Sequence, residues 1–377
     1  MTVVPGPDTP DTDTPDADIP DTDIPDTDTP DAGIPDTGIP GLRVALIGLG
    51  QIAAVHIAAL EGFPTVQVVG GVNPQPRRLL FRERPVPVCA TVDDLFTRCR
   101  PQLVLITVPT PVHVPVLFSL LQRNEDFGIF LEKPLSPQRD DAIAAFRRIA
   151  QAHHPFQVLY HTAFAPEVMW ATAYVAQHSA LLGAVRSFDA VFHDPYSLVA
   201  ARDRYVSSWA DSGINALSVM ERFVRLAARE KLRCLDPVQS HYEAVVYATE
   251  KHTAHRAHVS RKIYGKITTR WNTLDAAKQT RVFFASGATL QLDHRQMTGT
   301  VTQDKTVLAS FAAPTKMPRL LQHYTTMHAA YLSKFKPEVK NDLAQKNTGP
   351  LVVPWTSPDF VCDTLDDHAR LSSLLLG

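Results

Sequence analysis

Apolar residues fall into two different rhythms along the chain. Between residues 42 and 160 they come as short unbroken runs: RVALIG (Arg43 to Gly48), VQVVGGV (Val66 to Val72), QLVLITV (Gln102 to Val108) and FGIFLE (Phe127 to Glu132). Each is followed by a stretch with helical spacing. Runs of this kind mark strands buried on both faces, and their alternation with helices in units of about 30 residues predicts parallel strands joined by right-handed crossovers. The expectation is an α/β domain over residues 42–160, a doubly wound Rossmann sheet. From about Val185 to Ser310 the rhythm changes to alternation, in VRSFDAVFH, HYEAVVYAT, RAHVSRKIYG, KITTRWNTL, TRVFFASG, ATLQLDH and TVTQDKTVLASF, with breaks such as Ser286-Gly287. Residues 161–377 are therefore expected to form an α+β domain, a largely antiparallel, open-faced sheet with helices on one side. Helical stretches near Arg319 to Phe335 and Thr364 to Leu376 close the chain, the first placed to return to the nucleotide domain or to its neighbour.

Residues 1–41 fit neither rhythm. They hold eleven Asp, no Lys or Arg, and a Pro at every fifth position from Pro5 to Pro40. Such a segment lacks backbone donors and core-forming side chains, so it is read as a disordered, extended tail, either a solvated spacer or the product of a start codon set too early. It has no charged-then-apolar start, so it is no signal peptide. Removing it changes the charge picture: the whole chain carries 37 basic and 39 acidic residues, but 28 of the acidic ones follow the tail, so the body is net positive by about nine. A moderately basic body suits an anionic ligand; its scattered Lys and Arg form no block that favours nucleic acid. No apolar run reaches the roughly eighteen residues of a membrane span. Cys89, Cys99, Cys234 and Cys362 form no close pair, which argues against a zinc site or disulfide framework and for a reducing cytoplasm.

The candidate chemistry begins where the first strand ends. Gly48-x-Gly50-x-x-Ala53 follows a buried strand and opens a helix. Gly48 permits a tight turn, Gly50 lets the backbone, with Gln51 and Ile52, approach a pyrophosphate at the positive helix end, and Ala53 allows close packing. At the end of the second strand an acidic residue would hold the ribose of NAD. This chain has Asn73, then Arg77 and Arg78, which can pair with a 2′-phosphate, so NADP is preferred and NAD remains possible. Two further strand ends carry Thr107, Pro109 and His113, then Glu132, Lys133 and Pro134. Ligands of open α/β sheets sit at such carboxyl ends, and a Lys before Pro has a restricted backbone that can aim its ammonium into the cleft.

In combination, GLGQIAAVHIAAL (Gly48 to Leu60), TVPTPVH (Thr107 to His113) and LEKP (Leu131 to Pro134) resemble the Gfo/Idh/MocA family of sugar and cyclitol dehydrogenases. Asp211-Ser212-Gly213-Ile214-Asn215-Ala216-Leu217 occupies the place of that family's Asp-x-Gly-x-His segment. Most members have a His where this chain has Asn215; an amide can orient a hydroxyl but cannot take its proton. The segment is similar to that of the aldose 1-dehydrogenase branch, including L-arabinose and D-galactose 1-dehydrogenases. The resemblance implies that Lys133 polarises or deprotonates an anomeric hydroxyl, Asp211 serves as its base or charge partner, Asn215 positions the sugar, and a lactone is formed. A departure is that Ser207-Ser208-Trp209-Ala210 leads into Asp211, so the loop is short and the pocket reshaped. Asp211 can also be read as a plain helix N-cap.

His161 follows a strand and is expected to border the substrate, although a His satisfied by backbone is an equal reading there and at Tyr160 and His193. His252, His255 and His258 are spaced so that successive rings point to opposite faces of a strand, so no metal site is expected. In the resembled family the open sheet packs on another subunit, which implies a homodimer or homotetramer. The leading expectation is an NAD(P)-dependent oxidoreductase acting on a sugar or polyol. The alternatives are a reductase of a ketone or imine, and a non-catalytic nucleotide-binding sensor or scaffold.

Overall fold

A computed structural model describes residues 41–196, 206–249, 262–271, 273–314, 317–335 and 365–376. The readings of the acidic tail before Gly41 and of His252, His255 and His258 lie outside them. The described residues all fall within one unit, Ile39–Gly377.

The chain begins with β1 (Leu42–Ile47), α1 (Gln51–Leu60) and β2 (Val66–Val72), then a small hairpin of β3 (Leu79–Phe81) and β4 (Arg84–Val86). There follow β5 (Val88–Cys89), α2 (Val92–Cys99), β6 (Leu103–Ile106), α3 (His113–Leu121), β7 (Gly128–Glu132), α4 (Arg139–Gln151) and β8 (Phe156–Leu159). Helix α2 starts where the Thr91 hydroxyl accepts from the Asp94 amide at 3.1 Å and stops where Arg100 turns left-handed. The six strands lie in the order β5-β2-β1-β6-β7-β8 and every pair is parallel. Each of Leu103 to Ile106 and Ile129 to Leu131 is buried, which is why those runs are apolar without alternation. The order reverses between β1 and β6, and in sheets of this kind the carboxyl ends of the strands at such a reversal form the ligand crevice.

A short 3-10 turn (His161–Phe164) leads into the second layer: α5 (Pro166–Gln177), α6 (Ser179–Leu182), β9 (Val185–His193), α7 (Ile214–Met220), β10 (Arg225–Asp236) and β11 (His241–Thr249). Strands β12 (Ile263–Arg270), β13 (Lys278–Phe284), β14 (Thr289–Asp293), β15 (Thr298–Gln303) and β16 (Thr306–Ala312) precede helices α8 (Arg319–Phe335) and α9 (Leu365–Leu376). The eight strands run β10-β11-β12-β9-β13-β14-β15-β16, antiparallel except between β12 and β9. Phe188, Ala190 and Phe192 of β9 alternate into the core, and burying such aromatic side chains contributes about 1.5–3 kcal/mol each.

The sequence reading differs from this sheet in three places, the simplest being TVTQDKTVLASF, which turns at Asp304-Lys305 into two strands. KIYG and KITTR, expected in separate strands, are one strand, because Gly265 marks the spot where the Phe188 ring lies against the backbone. Arg225–Asp236 was not foreseen as a strand: its Ala, Arg, Glu and Lys residues favour helix, and pairing with β11 overrides them.

Helix α8 packs on α1 and helix α9 on α4, so both closing helices return to the first, parallel-sheet layer. Arg370 of α9 donates to both oxygens of Glu221 at 2.8 Å and to the Leu226 carbonyl at 2.9 Å, and Trp209 donates to the Leu375 carbonyl at 2.6 Å. Among the described residues no helix is long and apolar enough to cross a membrane.

Candidate active site

The glycine loop is held from two sides. Gly48 has φ +92°, and a Cβ there would come within 2.7 Å of the Val108 backbone, so only glycine fits. The Thr107 hydroxyl donates to the Gly48 carbonyl at 2.6 Å, and the Asn73 side chain accepts from the Leu49 amide at 3.2 Å while donating to the Gln75 carbonyl at 2.8 Å. Both polar side chains, expected to face a cofactor, are thus engaged in shaping the loop. Gly50 and Gln51 are exposed and Ile52 half-buried; Gly50 has open space where a Cβ would stand. Helix α1 starts there with no side-chain cap and no acidic residue in its first turn. An uncapped positive helix end beneath an open glycine fits a pyrophosphate. Arg77 and Arg78 are exposed just beyond β2, and Pro109 is exposed beside the same crevice.

Two strand ends meet at His113. Its Nδ1 lies 2.8 Å from the Pro134 carbonyl and its Nε2 2.9 Å from the Val108 carbonyl, so the buried ring joins the loop after β6 to the loop after β7. Burial pushes this imidazole below its ordinary pKa, against the pull of the two carbonyls, and a neutral ring donates to only one of them at a time. His113 is therefore turned inward as a clamp and does not present a nitrogen to the crevice.

Glu132 is likewise turned inward. Its Oε1 accepts from His56 Nε2 at 3.0 Å and from the Tyr324 hydroxyl at 2.7 Å, and its Oε2 accepts from the Lys133 amide at 3.2 Å. Burial would raise its pKa, but the His56 bond and charge, Lys133 and Tyr324 together hold it below the usual carboxylate value. The Nδ1 of His56 is 2.8 Å from His328 Nε2, and burial keeps the His328 ring well below its ordinary pKa and neutral. This cluster joins α1, the end of β7 and α8 behind Lys133. His56, Tyr324 and His328 were missed in the sequence, although a buried His inside the Ala-rich α1 was a usable signal.

In front of the cluster, Lys133 leaves β7 and meets the second layer. Its Nζ is 2.5 Å from Asp211 Oδ1 and donates to the Asp211 carbonyl at 3.2 Å, with the two side chains 9% and 6% exposed. Asp211 lies in a widened turn, Trp209–Gly213, where the Trp209 indole packs against Gly213 so closely that a larger residue would collide. No side chain caps α7, so Asp211 is not acting as an N-cap. Asn215 stands four residues further on, and its buried Oδ1 has no hydrogen-bond partner among the described residues. His161 is buried behind the same crevice, stacked on Tyr324 at 4.9 Å, with its Nδ1 3.4 Å from His323 Nδ1. Burial, and then His323, Lys133, Arg319 and Lys278, push it well below its ordinary pKa, so it is neutral. Tyr160 is core, and His193 lies at the end of β9.

Residues 42–160 match the sequence pattern of the oxidoreductase family GFO_IDH_MocA, NAD-binding Rossmann fold. No protein of curated function matches the chain in sequence. Solved structures share its fold at low identity. Levoglucosan dehydrogenase in complex with NADH is 13% identical with a TM-score of 0.64, over 89% of this chain and 96% of that one. A myo-inositol dehydrogenase from Corynebacterium glutamicum is 17% identical with a TM-score of 0.61, over 89% and 94%. GenD2 from gentamicin A biosynthesis, in complex with NAD, is 16% identical with a TM-score of 0.59, over 89% and 92%. Residues 42–160, which hold the glycine loop and the strand end bearing Lys133, are thus similar to the NAD-binding Rossmann domain of the Gfo/Idh/MocA oxidoreductases.

Proposed function

We propose that the chain is a dehydrogenase of a sugar-like alcohol, using NADP in preference to NAD, and that the reacting carbon is the anomeric carbon of an aldose, which becomes a lactone. One observation carries this reading: the Lys133 ammonium and Asp211 carboxylate, 2.5 Å apart in the crevice, are followed one turn on by the unpartnered carbonyl of Asn215. A buried acceptor without a donor is costly, and a substrate hydroxyl supplies the donor.

The roles follow from the chemistry of the three groups. Asp211 accepts the proton of the reacting hydroxyl, Lys133 donates to the oxygen that loses it and offsets its developing charge, and Asn215 holds a neighbouring hydroxyl in register. Bound NADP or NAD supplies the acceptor for the hydride that leaves the carbon. The pyrophosphate is held at Gly48, Gly50 and the amino end of α1, and Arg77 and Arg78 reach a 2′-phosphate. His113 and Glu132 act by holding the Lys133 strand end in place.

Three free thiols, Cys89, Cys99 and Cys234, accord with a reducing cytoplasm, and Tyr264 of β12 and Val307 of β16 leave apolar surface on the second sheet for a homodimer or tetramer. Incubating the protein with NADP and L-arabinose, D-galactose, D-glucose or myo-inositol should produce reduced cofactor and a lactone from at least one aldose. Oxidation of myo-inositol alone would exclude the anomeric carbon, and reduced cofactor from none of them would exclude the activity.

A further inference from the structure

A second Lys-Asp pair stands beside the first. Asp194 follows β9, where its amide donates to the Arg270 carbonyl at 2.8 Å, and Lys278 opens the neighbouring strand β13. Lys278 Nζ is 2.5 Å from Asp194 Oδ1, and the side chains are only 14% and 3% exposed. The other carboxylate oxygen, Oδ2, accepts from the Ser212 hydroxyl at 2.7 Å. Ser212 is the residue after Asp211, so one buried hydroxyl fastens the ends of the two central strands of the large sheet to the turn that presents Asp211 to Lys133.

Stability alone is a weak reason for such a pair, because desolvating two charges costs about as much as their attraction returns. The surroundings offer a better one. Asp194 takes one of the three donors of the Lys278 ammonium. Lys278 and Lys133 are both among the charges that hold the buried His161 ring below its ordinary pKa. Asn215 Oδ1, one turn after Asp211, and His323 Nε2, on the ring stacked against His161, are buried without partners among the described residues. Polar atoms beyond those of the reacting pair are thus left over around Asp211 and His161. The charges of Lys278 and Asp194 cancel, and a carboxylate or phosphate brought to Lys278 would face Asp194 as well. A hydroxyl, which both donates and accepts, matches this set.

We infer that Lys278 and Asp194 form a second hydroxyl-binding pair, which takes a hydroxyl of the polyol at a carbon away from the reacting one and so selects the substrate. This rests on the dehydrogenase reading above and extends it to specificity. The test compares wild type, Lys278→Met, Asp194→Asn and Lys278→Arg on D-galactose, 2-deoxy-D-galactose and D-fucose, its 6-deoxy form, with NADP. One of the two deoxy sugars should lose about tenfold or more in kcat/KM with wild type. Lys278→Met should lose about the same factor on D-galactose, mainly through KM, and little more on that deoxy sugar, with partial rescue in Lys278→Arg. Should Lys278→Met not fold, Asp194→Asn gives the same comparison, and unchanged NADP binding shows that the nucleotide domain is intact. Equal losses on all three sugars, or none, would overturn the second pair while leaving the dehydrogenase reading standing. No turnover of D-galactose by wild type would overturn the second pair, and no turnover of any aldose would overturn both.

Discussion

Lys133 and Asp211 are 78 residues apart in the chain, and their charged atoms are 2.5 Å apart in the fold. The pair exists because β7 of the first sheet and the turn before α7 end on the same crevice. Replacing Asp211 by Asn keeps the shape and removes the proton acceptor. The expected result is a fall in kcat of about two orders of magnitude with cofactor affinity retained. Steady-state kinetics with a titration of NADP checks it, and a change confined to KM would contradict the role.

His113 clamps two loops through opposite ring nitrogens, to the carbonyls of Val108 and Pro134. His113→Ala frees both, so NADP affinity and kcat should fall together, while Asp211→Asn lowers kcat alone. Calorimetric titration of the cofactor distinguishes the two patterns; tight NADP binding by His113→Ala would count against the clamp.

The buried Glu132 carboxylate depends on His56 and Tyr324 for its donors. His56→Phe withdraws one of them and leaves the charge poorly matched, at a cost of about 2–4 kcal/mol of folding stability. Urea unfolding of the variant measures this. A loss below about 0.5 kcal/mol would show that the carboxylate does not need the ring.

Several buried imidazoles are held neutral, and their effect on stability has a definite sign. Burial lowers His113, His161, His323 and His328, and brings His368, set between Phe156 and Tyr160, to about 3. A His whose folded pKa lies below its unfolded value of 6.5 lets the unfolded chain bind more protons as pH falls. Its contribution is complete above 6.5 and is lost progressively as pH drops toward the folded value. Unfolding free energy should therefore fall between about pH 7 and pH 5, with a slope of up to about 1.4 kcal/mol per pH unit for each such ring. His368→Phe should make the slope shallower; an unchanged slope would remove His368 from the account.

Arg77 and Arg78 lie exposed past β2, where no acidic residue waits for a ribose hydroxyl. Changing both to Ala should weaken NADP binding by about tenfold and leave NAD binding nearly unchanged. Equal effects on the two cofactors would assign these arginines to the surface.

The parts of this fold that were legible in the sequence are those set by local rules. VQVVGGV is β2 from Val66 to Val72, residue for residue, because every residue of the run but Gln67 is buried and polar residues flank it at Thr65 and Asn73. The glycine loop is equally local, since its three small residues and the strand before it are contiguous. Lys133, Asp211 and Asn215 could be named only because a family resemblance joined two distant segments. His56 and Tyr324 meet Glu132, and His328 meets His56, from elements far apart in the chain, and Asp194 meets Lys278 across two strands; neither cluster leaves a spacing that sequence could reveal. Strand β10 was hidden for the opposite reason, as its residues prefer helix and only the neighbouring strand makes them extended.

The most direct measurement is the single-turnover rate of cofactor reduction by Lys133→Met, with the aldose that wild type oxidises fastest and saturating NADP. The account predicts a rate about a hundredfold or more below wild type, with NADP dissociation constants within about a factor of two. A variant that reduces the cofactor at the wild-type rate would show that the ammonium beside Asp211 takes no part in the chemistry.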